Sequence, residues 1–459
     1  MAAIEKVFKA YDVRGIYGSE IDEELAWKIG HASAGFLRSL LSGYDRGQAS
    51  SNRMVVGQDM RPSSPSLAAA LVEGVTSSGA GCIDIGMIDT PMIYFAVNFL
   101  GSCGGIQVTA SHNPIQYNGF KISGLKARPV GADTGLKEIQ RIVSTLRRMP
   151  IGASTTAQKM DLWPEYRKHV LKFLKTPRRL KIVVDASNGM AGKMVPGVFH
   201  DTDIEIIPLN FEIGGEFAHP PNPIIEDNLR QLQKAIQKHK ADFGVCFDGD
   251  ADRCMFVDEK SQVVRADLMT ALLARHFLKD NPGSMVVYDL RSSRVVPEEI
   301  KAAGGVPRRE RVGHSFMKKA LADGHGVFGG ELSGHFYFRD NYNCDSGAIA
   351  FATALSVVAD QDRPLSDLVA PLRRYSHSGE INFHVEDKAG KMKDIAAKYA
   401  DAKVDHLDGV TCQYDEWWCN VRPSNTEPLL RLNLEAKTPD LMKQKLKEVE
   451  TDLGTPVSE

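Results

Sequence analysis

The chain has 459 residues, more than one hydrophobic core organises, since single cores stop growing near roughly 250–300 residues; several domains are expected. Its 43% hydrophobic and 25% charged residues are those of a soluble globular protein, and a net charge of −2 makes no case for nucleic-acid or membrane partners. No run approaches the roughly 18 apolar residues of a membrane span, Met1-Ala-Ala-Ile-Glu-Lys6 lacks a signal-peptide core, and seven cysteines without a C-x-x-C pair fit reduced thiols in the cytoplasm.

The first predicted strand is the β-branched run Met54-Val-Val-Gly57, followed by a helix over 67–76. Gly104-Gly-Ile-Gln-Val108 is the next, and it ends in Thr109-Ala-Ser-His-Asn-Pro114. Such a turn exposes Ser111 on a loop at a strand end, where ligands bind in open parallel sheets. Ser111 beside His112 suggests a hydrolase, but adjacent residues rarely face each other and no G-x-S-x-G elbow surrounds the serine. Lys181-Ile-Val-Val184 is a third strand, and Asp185-Ala-Ser-Asn-Gly189 after it reads as a structural turn, with Asn188 and Gly189 in the left-handed region. A helix is predicted over 228–240.

Phe243-Gly-Val-Cys-Phe247 reads as a buried strand, and the loop Asp248-Gly-Asp-Ala-Asp-Arg253 follows it. Three carboxylates at every second position repel one another, and the usual relief is a hard divalent cation. All-oxygen ligands at this density suit Mg²⁺ or Ca²⁺ rather than zinc, and no closing glutamate makes the loop an EF-hand. Mg²⁺ keeps open positions and partners phosphate oxygens, so phosphoryl chemistry is implied. Ser111 beside such a site fits a phosphoryl acceptor better than an acyl-enzyme. Cys246 and Cys254, which flank the loop, are expected to be packing residues, because soft thiolates are poor Mg²⁺ ligands.

A helix over 267–278 and a strand at Ser284-Met-Val-Val-Tyr288 continue the alternation, which implies βαβ units. The theme recurs in blocks at 1–150, 151–257 and 258–372, with weak seams at 149–156 and 257–262. After about Ser376 the texture changes. Strands are predicted at 380–385, 409–414, 417–421 and 429–434, with helices over 392–399 and 439–453, a small α+β domain spanning 373–459 with a mostly antiparallel sheet. Within it, Arg422-Pro-Ser-Asn-Thr-Glu-Pro428 places an arginine and hydroxyls on a turn, an anion cradle of Arg422, Ser424, Asn425 and Thr426.

Six motifs in order resemble the α-D-phosphohexomutase superfamily, in particular its phosphomannomutase/phosphoglucomutase branch. They are Lys9-Ala-Tyr-Asp-Val-Arg-Gly15, Thr109 to Pro114 with Asn118-Gly-Phe-Lys121, Asp248 to Arg253, Val312-Gly-His314, Gly330-Glu-Leu-Ser-Gly-His335 and Arg422 to Pro428. The resemblance implies four domains, three related α/β mixed-sheet domains and the C-terminal α+β domain, around a central cleft. It implies a phosphoserine at Ser111, and Mg²⁺ held by Asp248, Asp250, Asp252 and an oxygen of phospho-Ser111. Arg253 would reach phosphate. Tyr11 and Arg14 lie in a matching motif, Lys121 and His335 resemble proton-handling residues, and Lys121 would need a lowered pKa or a coupled partner. Glu331 and Ser333 resemble residues that bind the sugar O3 and O4, His314 one that contacts the ligand, and the Arg422 turn one that grips the non-reacting phosphate.

Gln58 stands where relatives often have Arg, Arg291 where several have Lys facing the sugar, and Leu332 where Met or Glu is usual. Leu332 and Thr109 favour the mannose/glucose branch over glucose-only and glucosamine relatives; Arg291 leaves the hexose open. The implied reaction exchanges hexose 1- and 6-phosphates, mannose or glucose, through a hexose 1,6-bisphosphate, with glucose 1,6-bisphosphate as activator and a monomer or homodimer as the working form. Phosphoglucosamine mutase, a Mg²⁺-dependent sugar phosphatase and a non-catalytic sugar-phosphate-binding protein are the competing readings.

Overall fold

A computed structural model of the protein describes residues 2–43, 49–147, 157–176, 178–424 and 429–457. The predicted seam at 149–156, and Asn425 and Thr426 of the predicted cradle, lie outside them. The chain forms two compact units, Met1–Val264 with Ser333–Ser366, and Arg265–Leu332 with Asp367–Glu459. The division runs inside the third sequence block, whose 333–366 stretch belongs to the first unit.

In the first unit, β1 (Val13–Ile16), β2 (Arg53–Gln58), β3 (Gly81–Met87), β4 (Gly104–Val108), β5 (Tyr117–Ser123) and β6 (Gln158–Lys159) form one sheet ordered β1-β5-β4-β2-β3-β6. β2 is parallel to β3 and β4, and β5 is antiparallel to β4 and β1. Met54, Val55 and Val56 are fully buried, as a central parallel strand covered on both faces requires. The helix Glu23–Ser39 starts where the Asp22 carboxylate accepts Leu25 N–H at 2.8 Å, an N-cap that satisfies an orphan donor.

The next sheet comprises β7 (Leu180–Asp185), β8 (Ile204–Leu209), β9 (Phe243–Phe247), β10 (Cys254–Asp258) and β11 (Val263–Val264), ordered β11-β10-β9-β7-β8. β7 and β9 are parallel, whereas β9 turns back antiparallel into β10 through 248–253. The acidic triplet therefore sits in a hairpin loop. In the turn after β7, Ser187 and Asn188 have φ of 50° and 51°, and Gly189 does not share the left-handed conformation expected of it. Gly189 is needed for close approach, since a Cβ there would lie 2.6 Å from Gly249 O. Asp185 accepts Ser187 N–H at 2.9 Å and pairs with His219 at 3.1 Å. Cys246 and Cys254 are fully buried.

In the second unit, β12 (Met285–Asp289) lies parallel to both β13 (Val306–Glu310) and β14 (Phe328–Gly330). The first unit takes up the chain again with the antiparallel pair β15 (Phe336–Phe338) and β16 (Cys344–Asp345), then the helix Gly347–Gln361, buried along nearly its whole length. The second unit ends in an antiparallel sheet ordered β18-β19-β20-β21-β17-β22. Its strands are β17 (Ser376–His384), β18 (Lys403–Asp405), β19 (Val410–Gln413), β20 (Trp417–Pro423), β21 (Leu429–Ala436) and β22 (Pro456–Val457). Helices Lys388–Lys398 and Pro439–Leu453 pack on it over a core that includes Phe383, Val421, Leu430, Leu432 and Leu434. Three α/β sheets and a terminal α+β domain are thus present in the expected order. Among the described residues, no helix is long and apolar enough to cross a membrane.

Candidate active site

β4 delivers Ser111 into a loop that returns as β5. Ser111 has φ 51°, is almost fully buried, and donates its hydroxyl to Asp248 Oδ2 at 3.1 Å. That approach depends on Gly249, where a Cβ would stand 2.3 Å from Ser111 O. Arg253 donates from Nε to Asp248 Oδ2 at 2.9 Å and from Nη2 toward Ser111 Oγ at 3.4 Å, and also contacts His112 Nδ1. Arg14, on β1 opposite Gly119 of β5, donates to Asn113 Oδ1 at 2.6 Å and to Asp12 at 2.5 Å. Tyr11 lies in the bend before β1.

Oxygens of Asp248, Asp250 and Asp252 come within 4.8 Å of one another in a fully buried loop. Lys121, carried by β5, donates to Asp250 Oδ2 at 2.7 Å and Asp252 Oδ2 at 2.6 Å. Burial works against the Lys121 charge, yet Asp250, Asp252 and Asp248 outweigh it and raise its pKa. Of the two arrangements expected for Lys121, a lowered pKa or a coupled partner, Asp250 and Asp252 supply the coupled partners. Burial pushes Asp248 up to about 7 against the pull of Arg253, whereas Asp252, despite burial, is held well below the carboxylate range by Lys121 and His335. Three buried carboxylates, with Asp250 Oδ1 taking no hydrogen bond, fit a hard divalent cation. Mg²⁺ would be held by Asp248, Asp250 and Asp252, with Ser111 adjacent.

The motif 330–335 changes unit between Leu332 and Ser333. Its second half is stitched to the acidic loop by main chain, through a bridge between Arg253 and His335 and a bond from Cys254 N–H to Gly334 O at 3.1 Å. Gly334 has φ 87°, and a Cβ would sit 2.9 Å from Cys254 O, so only glycine fits comfortably. His335 thereby faces Asp252 Oδ1 at 3.5 Å and Asp345 Oδ2 at 3.9 Å through Nε2, while Ser333 Oγ pairs with its Nδ1 at 2.9 Å. The first unit thus gathers Arg14, Ser111, Lys121, Asp248, Asp250, Asp252, Arg253, Ser333 and His335.

The second unit gathers a different set. Arg291 pairs with Asp289 at 2.8 Å, and Asp289 Oδ2 also accepts Leu332 N–H at 2.7 Å. Glu331 accepts Gly313 N–H at 2.9 Å, which ties it to the helix His314–Asp323 and so to His314. Arg422, on β20 and nearly inaccessible, donates to Glu380 Oε2 at 2.8 Å, and Arg291 and Arg431 reach the same carboxylate at 3.5 and 3.2 Å. Burial opposes the Glu380 charge, but Arg291, Arg422 and Arg431 outweigh it and pull the carboxyl down to about 2. Ser424 closes the end of β20, donating its N–H to Leu429 O at 2.9 Å.

Four residues in these clusters escaped the sequence reading. Thr90 donates its hydroxyl to Asp250 Oδ2 at 2.6 Å and its N–H to Asp250 O at 3.0 Å. Asp345 faces His335, Glu380 gathers three arginines, and Arg61 donates to Ser111 O at 2.9 Å. The turn Asp89-Thr-Pro91 after β3 was the available signal for Thr90, an N-terminal helix turn beside a strand end.

The α/β/α domains I, II and III of phosphoglucomutase/phosphomannomutase match residues 5–148, 164–261 and 265–375, and the C-terminal domain of the same proteins matches 380–451. The chain belongs to the phosphoglucomutase/phosphomannomutase family. It is 37% identical over 456 residues to a phosphomannomutase of Vibrio cholerae, covering 96% of this chain and 97% of that one. It is 36% identical over 443 residues to a phosphomannomutase of Escherichia coli K12, covering 94% of each. A crystal structure of a phosphoglucomutase/phosphomannomutase family protein from Burkholderia thailandensis matches with a TM-score of 0.87 at 31% identity, over 98% of this chain and 97% of that one. Family membership makes the chain a phosphohexomutase-type enzyme, and its Ser111 and acidic loop fall within matched domains I and II.

Proposed function

We propose that this phosphohexomutase interconverts hexose 1-phosphate and hexose 6-phosphate, with mannose or glucose as the sugar, by exchanging a phosphoryl group through Ser111. The observation that carries the reading is Ser111 Oγ at 3.1 Å from Asp248, inside a buried triplet of carboxylates. Mg²⁺ bound there would supply charge neutralisation for the transferring group. In the first half-reaction the O–P bond of phospho-Ser111 breaks as a new one forms to the free sugar hydroxyl, giving the 1,6-bisphosphate. After the sugar reorients, its other phosphoryl group returns to Ser111. Arg253 and Arg14, beside the Ser111 loop, stabilise phosphoryl charge. Lys121 and His335 are the proton carriers, Lys121 as an ammonium and His335 with Nε2 turned toward two carboxylates.

In the second unit, Arg422 and Ser424, together with Asn425 and Thr426, hold the phosphate that is not reacting. Glu331 addresses the sugar hydroxyls together with Ser333, while Arg291, His314 and Tyr11 bind the substrate. Catalytic glucose 1,6-bisphosphate primes Ser111. We assign the four matched segments to four domains, and the seven free, buried thiols support a cytoplasmic setting. The test is a coupled isomerisation assay on mannose, glucose and glucosamine 1-phosphates with a trace of glucose 1,6-bisphosphate. Turnover of mannose or glucose 1-phosphate is expected, and turnover of glucosamine 1-phosphate alone refutes the sugar assignment.

A further inference from the structure

Arg61 is fully buried in the segment after β2, and its guanidinium gives every N–H it has to two targets. Nε donates to Asp59 Oδ2 at 3.0 Å. The remaining donors all go to main-chain carbonyls of one loop, Nη1 to Pro114 O at 2.7 Å and Tyr117 O at 3.0 Å, Nη2 to Ser111 O at 2.9 Å and Asn113 O at 2.7 Å. Asp59 is itself fixed, its Oδ1 accepting Arg61 N–H at 3.0 Å and the Ser64 hydroxyl at 2.6 Å. The base of the clamp is therefore tied to the start of the helix Ser64–Ser77.

Other side chains and strands add single bonds to this loop, Arg14 to Asn113 Oδ1 at 2.6 Å, Tyr17 N–H to Gln116 O at 2.9 Å and Ser111 N–H to Thr109 Oγ1 at 2.9 Å, against the four that Arg61 supplies. Between β4 and β5 the main-chain bonds include Asn113 N–H to Ala110 O and Tyr117 N–H to Pro114 O, both 3.0 Å. Ser111 adopts φ 51°, an uncommon conformation for a non-glycine residue that persists only when its surroundings over-determine it. That backbone conformation places Ser111 Cβ, and the bond to Asp248 orients Oγ from there. We propose that Arg61 is a positioning residue for phosphoryl exchange, binding the four carbonyls of 111–117 so that Ser111 Oγ is aimed at Asp248 and the incoming hydroxyl. This rests on the reading of Ser111 as phosphoryl acceptor. Lysine cannot replace the arrangement. An ammonium has three donors at one point, whereas five bonds diverge here from a planar fork.

The test uses Arg61→Lys, which keeps the charge and loses the fork, in the full-length protein. The turnover number per phosphorylatable site, titrated by a burst with glucose 1,6-bisphosphate, is expected to fall about hundredfold, the cost of an ångström-scale misplacement. KM for hexose 1-phosphate is expected to change less than about threefold, because no Arg61 donor remains for substrate. Amide exchange in 110–117 should accelerate while 243–258 stays protected. Asp59→Asn, a milder release of the same guanidinium, should give a smaller fall in kcat with the same loop signature, and serves where Arg61→Lys does not fold. A wild-type turnover number per titrated site in either folded variant, or a loss of kcat without faster exchange in the loop, overturns the proposal. Failure of the wild-type protein to carry phosphate on Ser111 would refute the acceptor reading instead, and the exchange measurement would still report whether the clamp exists.

Discussion

Ser111, Asp250 and Thr90 carry separable expectations. Ser111→Ala removes the acceptor oxygen and should abolish isomerisation with little change in melting temperature, measured by the coupled assay and by calorimetry. Asp250→Asn removes one of three buried charges, so the Mg²⁺ concentration for half-maximal activity should rise at least tenfold; unchanged Mg²⁺ dependence would exclude the triplet as the metal site. Thr90 holds Asp250 Oδ2 through its hydroxyl while Asp250 Oδ1 takes no hydrogen bond. Thr90→Val should therefore weaken Mg²⁺ binding by about tenfold in calorimetric titration, in line with the effect of removing a group that orients a metal ligand, and Thr90→Ser should restore it. Ser111 and the triplet were legible in the sequence because their chemistry is compressed into a few adjacent residues. Thr90, Asp345, Glu380 and Arg61 were not, since each acts on a residue far away in sequence and belongs to no dense local pattern. Gly334 shows the same limit. Its motif was visible, but the reason for glycine, the carbonyl of Cys254, appears only once the two loops meet.

The elements were legible wherever apolar periodicity was strong. β4 and β9 begin and end where the runs of apolar residues do, and β2, β7 and β12 differ by one or two residues. The two-residue strands β6, β11, β16 and β22 left no signal, being too short for any alternation to register. Nor did the sequence show that 333–366 belongs with the first unit, because only long-range packing decides it. At this scale, β17, β20 and β21 converge on Glu380, whose carboxyl is pulled down to about 2 by three guanidiniums. A depressed carboxyl contributes stability that is complete above its unfolded pKa of about 4.3 and is lost as pH falls through the folded value. Glu380→Gln should lower the melting temperature of the protein at pH 7, and the gap from wild type should close between about pH 4.5 and pH 2. A gap that persists unchanged to pH 2 would show that Glu380 acts by packing rather than by charge.

For the whole molecule, the reading requires that one phosphate-holding turn serve both ends of the sugar and both sugars. Arg422→Ala removes a charge-assisted contact worth roughly 1.5–3 kcal/mol, so kcat/KM should fall about tenfold to a hundredfold. Mannose 1-phosphate and glucose 1-phosphate should suffer alike, and a loss confined to one of them would make Arg422 a reader of the sugar. The central claim is that Ser111 carries the exchanged phosphoryl group, and it is tested most directly by transfer of label. The protein is incubated with glucose 1,6-bisphosphate labelled in its phosphates, quenched, digested and mapped. The account predicts label on Ser111, lost within one turnover when unlabelled hexose 1-phosphate is added. Label on another residue, or none while isomerisation proceeds at its full rate, would contradict it.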